Sequence, residues 1–199
     1  IEVAAHAHES LIEGLKERGF QLVEFENVYA TDMRADEDLR VRLSREIDAS
    51  LRTEVVSRVD QTHWRAFIEV ATSGFEPRLQ PDGSVLPLDE QSVSFFERII
   101  RHERATCIAV WQDAQIIGAG AMEIVPELCC LFGGCVLPKF RGRGVQALML
   151  IERMAIGQRA GCAVSVTHTK PGIATERNCR RLGCELAYKK GVLEGPLPP

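Results

Sequence analysis

The 199-residue chain is 45% hydrophobic and 26% charged, with 24 Lys and Arg against 28 Asp and Glu and a formal net charge of −4. That is the composition of a globular chain, long enough for one full domain plus a fragment. A mildly acidic balance gives no general footing for nucleic acid, no apolar run reaches the length of a bilayer span, and nothing resembles a secretion signal. The expected setting is therefore cytoplasmic, without nucleic acid or membrane as partner. Seven cysteines, an odd number in no metal-ligand spacing, fit reduced thiols better than a disulfide framework, and no metal is expected.

The sequence opens mid-pattern at Ile1-Glu-Val, like the end of a strand with further chain expected upstream. Leu11, Ile12 and Leu15 at helical spacing predict a helix over 9–18 closed by Gly19, and Phe20 to Tyr29 alternates as a strand. Residues 34–52 are dense in charge and read as a linker between a segment 1–33 and a domain over 53–194, with a tail at 195–199. Thr53 to Val59 is a predicted strand. Asp60 is a good N-cap for a helix over 61–71 whose Trp64, Phe67, Ile68 and Ala71 share one face. After a loop at 77–87, Asp89-Glu90 opens a second amphipathic helix carrying Val93, Phe96, Ile99 and Ile100.

Thr106 to Trp111 and Gln115 to Ile124 form a hairpin signal around Gln112-Asp113, and Leu128 to Val136 supplies the next strand. A basic, glycine-punctuated turn follows, Pro138-Lys-Phe-Arg-Gly-Arg-Gly-Val-Gln146, and then a run of helix formers to about residue 160, ended by Gly161. Strand, glycine turn and helix point several backbone N–H groups at one spot and add a positive helix end, which suits a phosphate. Gly142 and Gly144 admit close approach of an anion, and Arg141 and Arg143 add charge; an ordinary turn with solvated arginines is the alternative. The Walker loop fails for want of a Lys-Ser/Thr, and the dinucleotide fingerprint finds Ala147 where it needs a third glycine. Ala163 to His168 is a short β-branched strand, Thr175 to Leu182 a helix closed by Gly183, and Leu186 to Leu193 a last strand.

The spacing Arg141-x-x-Gly144-x-Gln146 after a strand ending Val-x-Pro resembles the pyrophosphate loop of the GCN5-related N-acetyltransferases, whose pattern is Gln/Arg-x-x-Gly-x-Gly/Ala. Gln146 departs from its last position. The element order over 53–194, β-α-α-β-β-β-α-β-α-β, is also that family's order, so the resemblance implies an α/β fold with a mixed sheet. Asn178-x-x-Arg-x-x-Gly183 looks like the closing helix of certain members. A weaker echo relates Leu15-x-x-Arg18-Gly19-Phe20-x-Leu22 to Cys179-x-x-Leu182-Gly183-Cys184-x-Leu186, 164 positions on. Residues 1–30 thus resemble the last part of a first, partial lobe, and are expected to pack outside the 53–194 domain; coincidence is the rival reading.

The resemblance implies an acetyl-CoA-dependent N-acetyltransferase, in which an amine of a small molecule or peptide attacks the thioester directly; a homodimer is allowed. Pyrophosphate would fall to Arg141, Gly142, Arg143, Gly144, Val145 and Gln146. Pantetheine would bond to the backbone near Cys135 and Val136, beside a Gly133-Gly134 pair suited to a bulge or to plain structure. Thr175 and Asn178 either face the pantetheine arm or are solvent-facing caps. Many members carry a tyrosine where this chain has Cys179, so the proton donor is read as Tyr188 with Cys179 behind it. The base is Glu123 or Glu127, directly or through water, against the reading that both are merely solvated. His168 at a strand end is the commoner hydrogen-bonded histidine, and Cys129, Cys130 and Cys135 read as core rather than nucleophiles. The competing classes are a non-catalytic CoA-binding or protein-interaction module on the same fold, and a nucleotide-phosphate binder, which the missing lysine and acidic metal ligands disfavour.

Overall fold

The computed structural model describes residues 1–34, 48–73, 80–82, 84–87, 89–100 and 104–196. Most of the charged linker, part of the 77–87 loop, the inward side chains read at Phe96 and Ile99, and the end of the tail lie outside the described residues. Contacts divide the chain into two units, Asp32–Ser165 and Ile1–Thr31 together with Val166–Pro199. Among the described residues, no helix is long and apolar enough to cross a membrane.

In the unit Asp32–Ser165, strands β3 (Leu51–Val55), β4 (Ala105–Gln112), β5 (Gln115–Val125) and β6 (Leu128–Val136) lie side by side in that order, each antiparallel to the next. Helix α2 (Gln61–Thr72) starts where expected because the Asp60 carboxylate accepts from the N–H groups of Thr62 and His63, both at 3.1 Å. Its Trp64, Phe67, Ile68 and Ala71 are buried with Cys107, Ala109, Trp111, Ala119 and Ala121 on one face of the strands. Ile100, at the end of α3 (Glu90–Ile100), closes that cluster. β3 stops at Val55, short of the expected Val59, since Arg58 turns to donate to the carbonyls of Ile100 (3.0 Å) and Ala105 (2.8 Å).

The other face is covered by α4 (Val145–Arg159), whose Val145, Leu148 and Met149 pack with Val110, Ile117 and Val136. Close approach of this helix explains a glycine. A Cβ at Gly120 would sit 2.8 Å from Met149 Sδ and 3.1 Å from Arg153 Cζ.

The unit Ile1–Thr31 with Val166–Pro199 corrects the expected division. β1 (Glu2–Ala4) and β2 (Gln21–Asp32), joined by α1 (Glu9–Glu17), pair antiparallel with the two edges of β8 (Glu185–Glu194). The first residues therefore do not stand apart from 53–194: they supply both ladder partners of its last strand, while β7 (Val164–Thr169) lies beside β2. β7 leads through α5 (Ala174–Arg181) into β8.

The sequence echo reappears as geometry. Gly19 and Gly183 both have φ 78°, and Phe20 N–H donates to Leu15 O (3.0 Å) as Cys184 N–H does to Cys179 O (2.9 Å). Glu26 and Lys190, again 164 positions apart, are direct partners in the β2–β8 register. The order β1-β8-β2-β7 is thus two strand-helix-strand pieces around a local pseudo-two-fold, each receiving the last strand of the other.

Candidate functional site

The candidate anion loop lies in the unit Asp32–Ser165. Ala119 pairs with Cys135 and Ala121 with Phe132, so Gly120 faces two residues, Gly133 and Gly134, across a β-bulge. Gly133 has φ 60°, both glycines are exposed, and a Cβ at Gly133 would meet nothing within 4 Å. Beyond Val136, Pro138–Phe140 makes one 3-10 turn, and Arg141 folds back so that its Nε donates to Val136 O at 3.1 Å. Lys139 Nζ and the Arg143 guanidinium lie 4.9 and 5.5 Å from the Phe140 ring. Gly144, at φ 78°, caps α4 without a side chain to occupy its first N–H groups. Three cations, two left-handed glycines (Gly142 at φ 76°) and a helix end whose N-cap residue, among the described residues, makes no side-chain capping bond therefore come together.

Cys135 is buried, and its thiol lies 3.3 Å from Ser73 Oγ, which itself donates to Val70 O at 2.7 Å. Burial pushes the Cys129 thiol up to about 12 and that of Cys107 to about 11, and raises Cys130 too, so none is a ready thiolate. Glu123 is half-buried on β5, opposite Cys130 and on the face of Ala119 and Ala121 that α2 covers. Glu127 has φ 62° at the β5–β6 turn, and its carbonyl accepts from the N–H groups of Ala163 (2.8 Å) and Val164 (3.1 Å).

Sequence reasoning missed two features of this unit. One is Arg153, 2% exposed, whose Nη1 donates to Ala121 O (2.9 Å) and Phe132 O (3.0 Å) and whose Nε donates to Met149 O (3.0 Å). An arginine amid Leu150, Ile151 and Met154 was its only signal. The other is a groove of about 680 Å³ bordered by His63, Glu69, Val70, Trp111, Ile116 and Leu137. Trp111 is 5% exposed and its indole N–H has no acceptor among the described residues, while His63 Nδ1 is 3.1 Å from Asp60 and its ring meets Trp111 edge-on at 4.9 Å.

Thr175, Asn178, Cys179 and Tyr188 belong to the other unit. Thr175 and Asn178 are half-buried on α5, with Asn178 Oδ1 accepting from Arg181 at 3.3 Å. Cys179 is fully buried, as a packing residue is. Tyr188 is 38% exposed on β8, edge-on to His6 at 5.7 Å. The charged centre of α5 is Glu176. Its Oε1 accepts from Tyr29 OH (2.7 Å), Arg180 Nη2 (3.0 Å) and Asn27 Nδ2 (3.1 Å), and its Oε2 from Gly172 N–H (2.5 Å). Gly172 N–H first, then Tyr29 and Arg180, hold its carboxyl down at about 2.

His168 takes the hydrogen-bonded role. Its Nδ1–H donates to Glu26 Oε2 at 2.7 Å. Glu2, Glu26 and His168 are spaced like metal ligands, but Lys190 Nζ stands among them, 2.6 Å from Glu2 and 3.0 Å from Glu26. Burial would raise the Glu26 pKa, yet the hydrogen bonds from Lys190 and His168 outweigh it and the net shift is downward. The ammonium already plays the part of the cation.

Comparison with solved structures places this arrangement. A GCN5-related N-acetyltransferase from Sphaerobacter thermophilus matches 96% of this chain with a TM-score of 0.66 at 15% identity. One from Kribbella flavida matches 99% with a TM-score of 0.64 at 19% identity. The chain has the GCN5-related N-acetyltransferase fold. A tandem GNAT protein from the clavulanic acid biosynthesis pathway matches 97% of the chain with a TM-score of 0.67 at 12% identity. The chain spans 57% of the Sphaerobacter protein, 68% of the Kribbella protein and 61% of the tandem one. No protein-family model matches the sequence, and comparison with curated proteins finds no match. The match runs beyond 53–194 into the N-terminal pieces, since almost the whole chain is covered.

Proposed function

We propose that this chain is an acetyl-CoA-dependent N-acetyltransferase for an amine of a small molecule or peptide. The carrying observation is a glycine bulge on β6 that runs into a basic, doubly left-handed turn and an uncapped helix end, on a fold shared with acetyltransferases. These residues fit the ligand: Gly142 and Gly133 have open space where a Cβ would stand, and the turn offers N–H groups and cations to a pyrophosphate.

Bound acetyl-CoA would supply an activated acetyl group. Residues Arg141 to Gln146 hold its pyrophosphate, and the backbone at Cys135 and Val136 aligns its pantetheine arm like an added strand. Glu123 takes a proton from the attacking ammonium, directly or through water. On the family resemblance alone, Tyr188 is the candidate proton donor and Thr175 and Asn178 are candidates for contact with the pantetheine arm. The groove beside α2, with apolar walls and the Glu69 carboxylate, suits an amine with an apolar body.

The full burial of Cys179, at the position where many members of the resembled family carry a tyrosine, favours a second reading, a CoA-binding module without turnover. Thermal shift with acetyl-CoA, ATP and NAD, followed by thiol release across an amine panel, separates the two. Stabilisation by acetyl-CoA with thiol release supports the enzyme; stabilisation without release for any amine supports the module. Stabilisation by ATP or NAD alone rejects both.

A further inference from the structure

A buried charge lies under the bulge. Arg153 projects from α4 to the inner side of β5 and β6, and one nitrogen, Nη1, donates to the carbonyls of Ala121 and Phe132. Those two residues are the register pair immediately beside the bulge. Nε is anchored on Met149 O, one turn back along the helix. A Cβ at Gly134 would lie 3.4 Å from Nη2, and one at Gly120 3.2 Å from Nη1. One glycine of the bulge, Gly134, and the residue facing the bulge, Gly120, are thus the positions over which the guanidinium lies, while Gly133 stands clear of it.

The peptide unit whose carbonyl Arg153 holds at Phe132 also carries the N–H of Gly133. A cation on the oxygen of a peptide draws electron density from its nitrogen and makes that N–H a stronger donor. Gly133 is exposed and left-handed, whereas Arg153 is 2% exposed, so the charge acts through a medium that screens it far less than water does. We propose that Arg153 is a positioning residue of the acyl-transfer site: it fixes the β6 bulge and strengthens the Gly133 backbone donor toward negative charge that develops beside it. This rests on the acetyltransferase reading above. It differs from the role of Arg141 and Arg143, whose exposed charges serve ligand binding and are weakened by salt.

The test uses the full chain with Arg153→Met, which keeps bulk and removes charge, and Arg153→Lys, which keeps charge but cannot reproduce the fork. The readouts are the Gly133 and Gly134 amide resonances, acetyl-CoA affinity, and turnover with its salt dependence. For Arg153→Met, the Gly133 amide should move and exchange faster, and kcat should fall at least about tenfold, with KM for acetyl-CoA within about threefold. Arg153→Lys should recover part of kcat, and the Arg153→Met loss should persist at high salt. Unmoved bulge amides with unchanged kcat in either folded variant would overturn the proposal, as would a loss carried wholly by KM. Should Arg153→Met not fold, Arg153→Lys decides by the same two readouts. A parent chain that binds no acetyl-CoA defeats the acetyltransferase reading instead, and the amide resonances still decide whether Arg153 holds the bulge.

Discussion

Replacing Gly144 by Asp and by Asn separates the two things that glycine does. Its φ of 78° is a left-handed conformation that costs an L-residue about 1–2 kcal/mol, a cost that Asp and Asn share because they are isosteric and both tolerate the region. The pair therefore lose similar stability, and any difference in binding is charge. A carboxylate beside the first turn of α4 would stand about 4–8 Å from a phosphate held there, a repulsion of about 2–4 kcal/mol at an effective dielectric of about 20. At about 1.4 kcal/mol per decade this is roughly 30- to 1000-fold in affinity. Calorimetric titration of both variants with acetyl-CoA should show Gly144→Asp weaker than Gly144→Asn by that range, and the gap should narrow as salt rises. Equal affinity of the two variants would place the pyrophosphate elsewhere.

Glu123→Gln keeps shape and removes basicity, so it should lower turnover with little change in acetyl-CoA affinity, and Tyr188→Phe should do likewise; unchanged rates in both would remove both assignments. Parent turnover should climb from acid to alkaline pH as the base deprotonates, and a flat profile would speak against a titrating base. The depressed Glu176 carboxyl, at about 2 in the fold against an ordinary 4.5, stabilises the fold above about pH 4.5, and that contribution is lost as pH falls toward 2. Denaturant unfolding of the parent should therefore steepen with acid across this window more than that of Glu176→Gln, and parallel curves would contradict the network. Gly157→Ala gains about 1 kcal/mol of helix propensity. It also puts a Cβ 2.8 Å from Cys129 Cβ and 2.9 Å from its Sγ, an overpacking that costs about 1–3 kcal/mol. A Tm lowered by a few degrees is expected, and a raised Tm would show that α4 packs less closely than described. A chain lacking residues 1–33 loses the ladder partners on both edges of β8, so its β8 amides should exchange quickly; slow exchange there would contradict the strand pairing.

Much of the fold was legible because its punctuation is local. Gly19, Gly161 and Gly183 end helices at left-handed angles, Asp60 begins one, and the strand read over Leu128 to Val136 has those bounds in the structure. Such signals depend on a few neighbouring residues and survive without tertiary context. The destination of β1 and β2 was not legible, since alternation shows that a segment is a strand and not whose edge it joins. The charged segment after residue 33 looked like a boundary, yet contacts group residues 1–31 with 166–199.

In the candidate site, the left-handed glycines of the turn from Arg141 to Gln146 and the bulge at Gly133-Gly134 could be anticipated because glycine and charge are conspicuous in one stretch. Arg153 and Glu176 could not. Each acts by reaching groups far along the chain, the carbonyls of Ala121 and Phe132 in one case and the Asn27 amide and Tyr29 hydroxyl in the other. Within its helix Glu176 looks like ordinary surface charge, and Arg153 is marked only by its apolar neighbours Leu150, Ile151 and Met154. Cys179 was read from a family position, and in the structure it is fully buried.

The most direct measurement is calorimetric titration of the full parent chain with acetyl-CoA at two salt concentrations, with ATP as competitor. Saturable one-site binding that weakens as salt rises and is not displaced by equimolar ATP is the result expected. Absence of binding, or affinity indifferent to salt, would contradict the assignment of the Arg141-to-Gln146 turn as a pyrophosphate site.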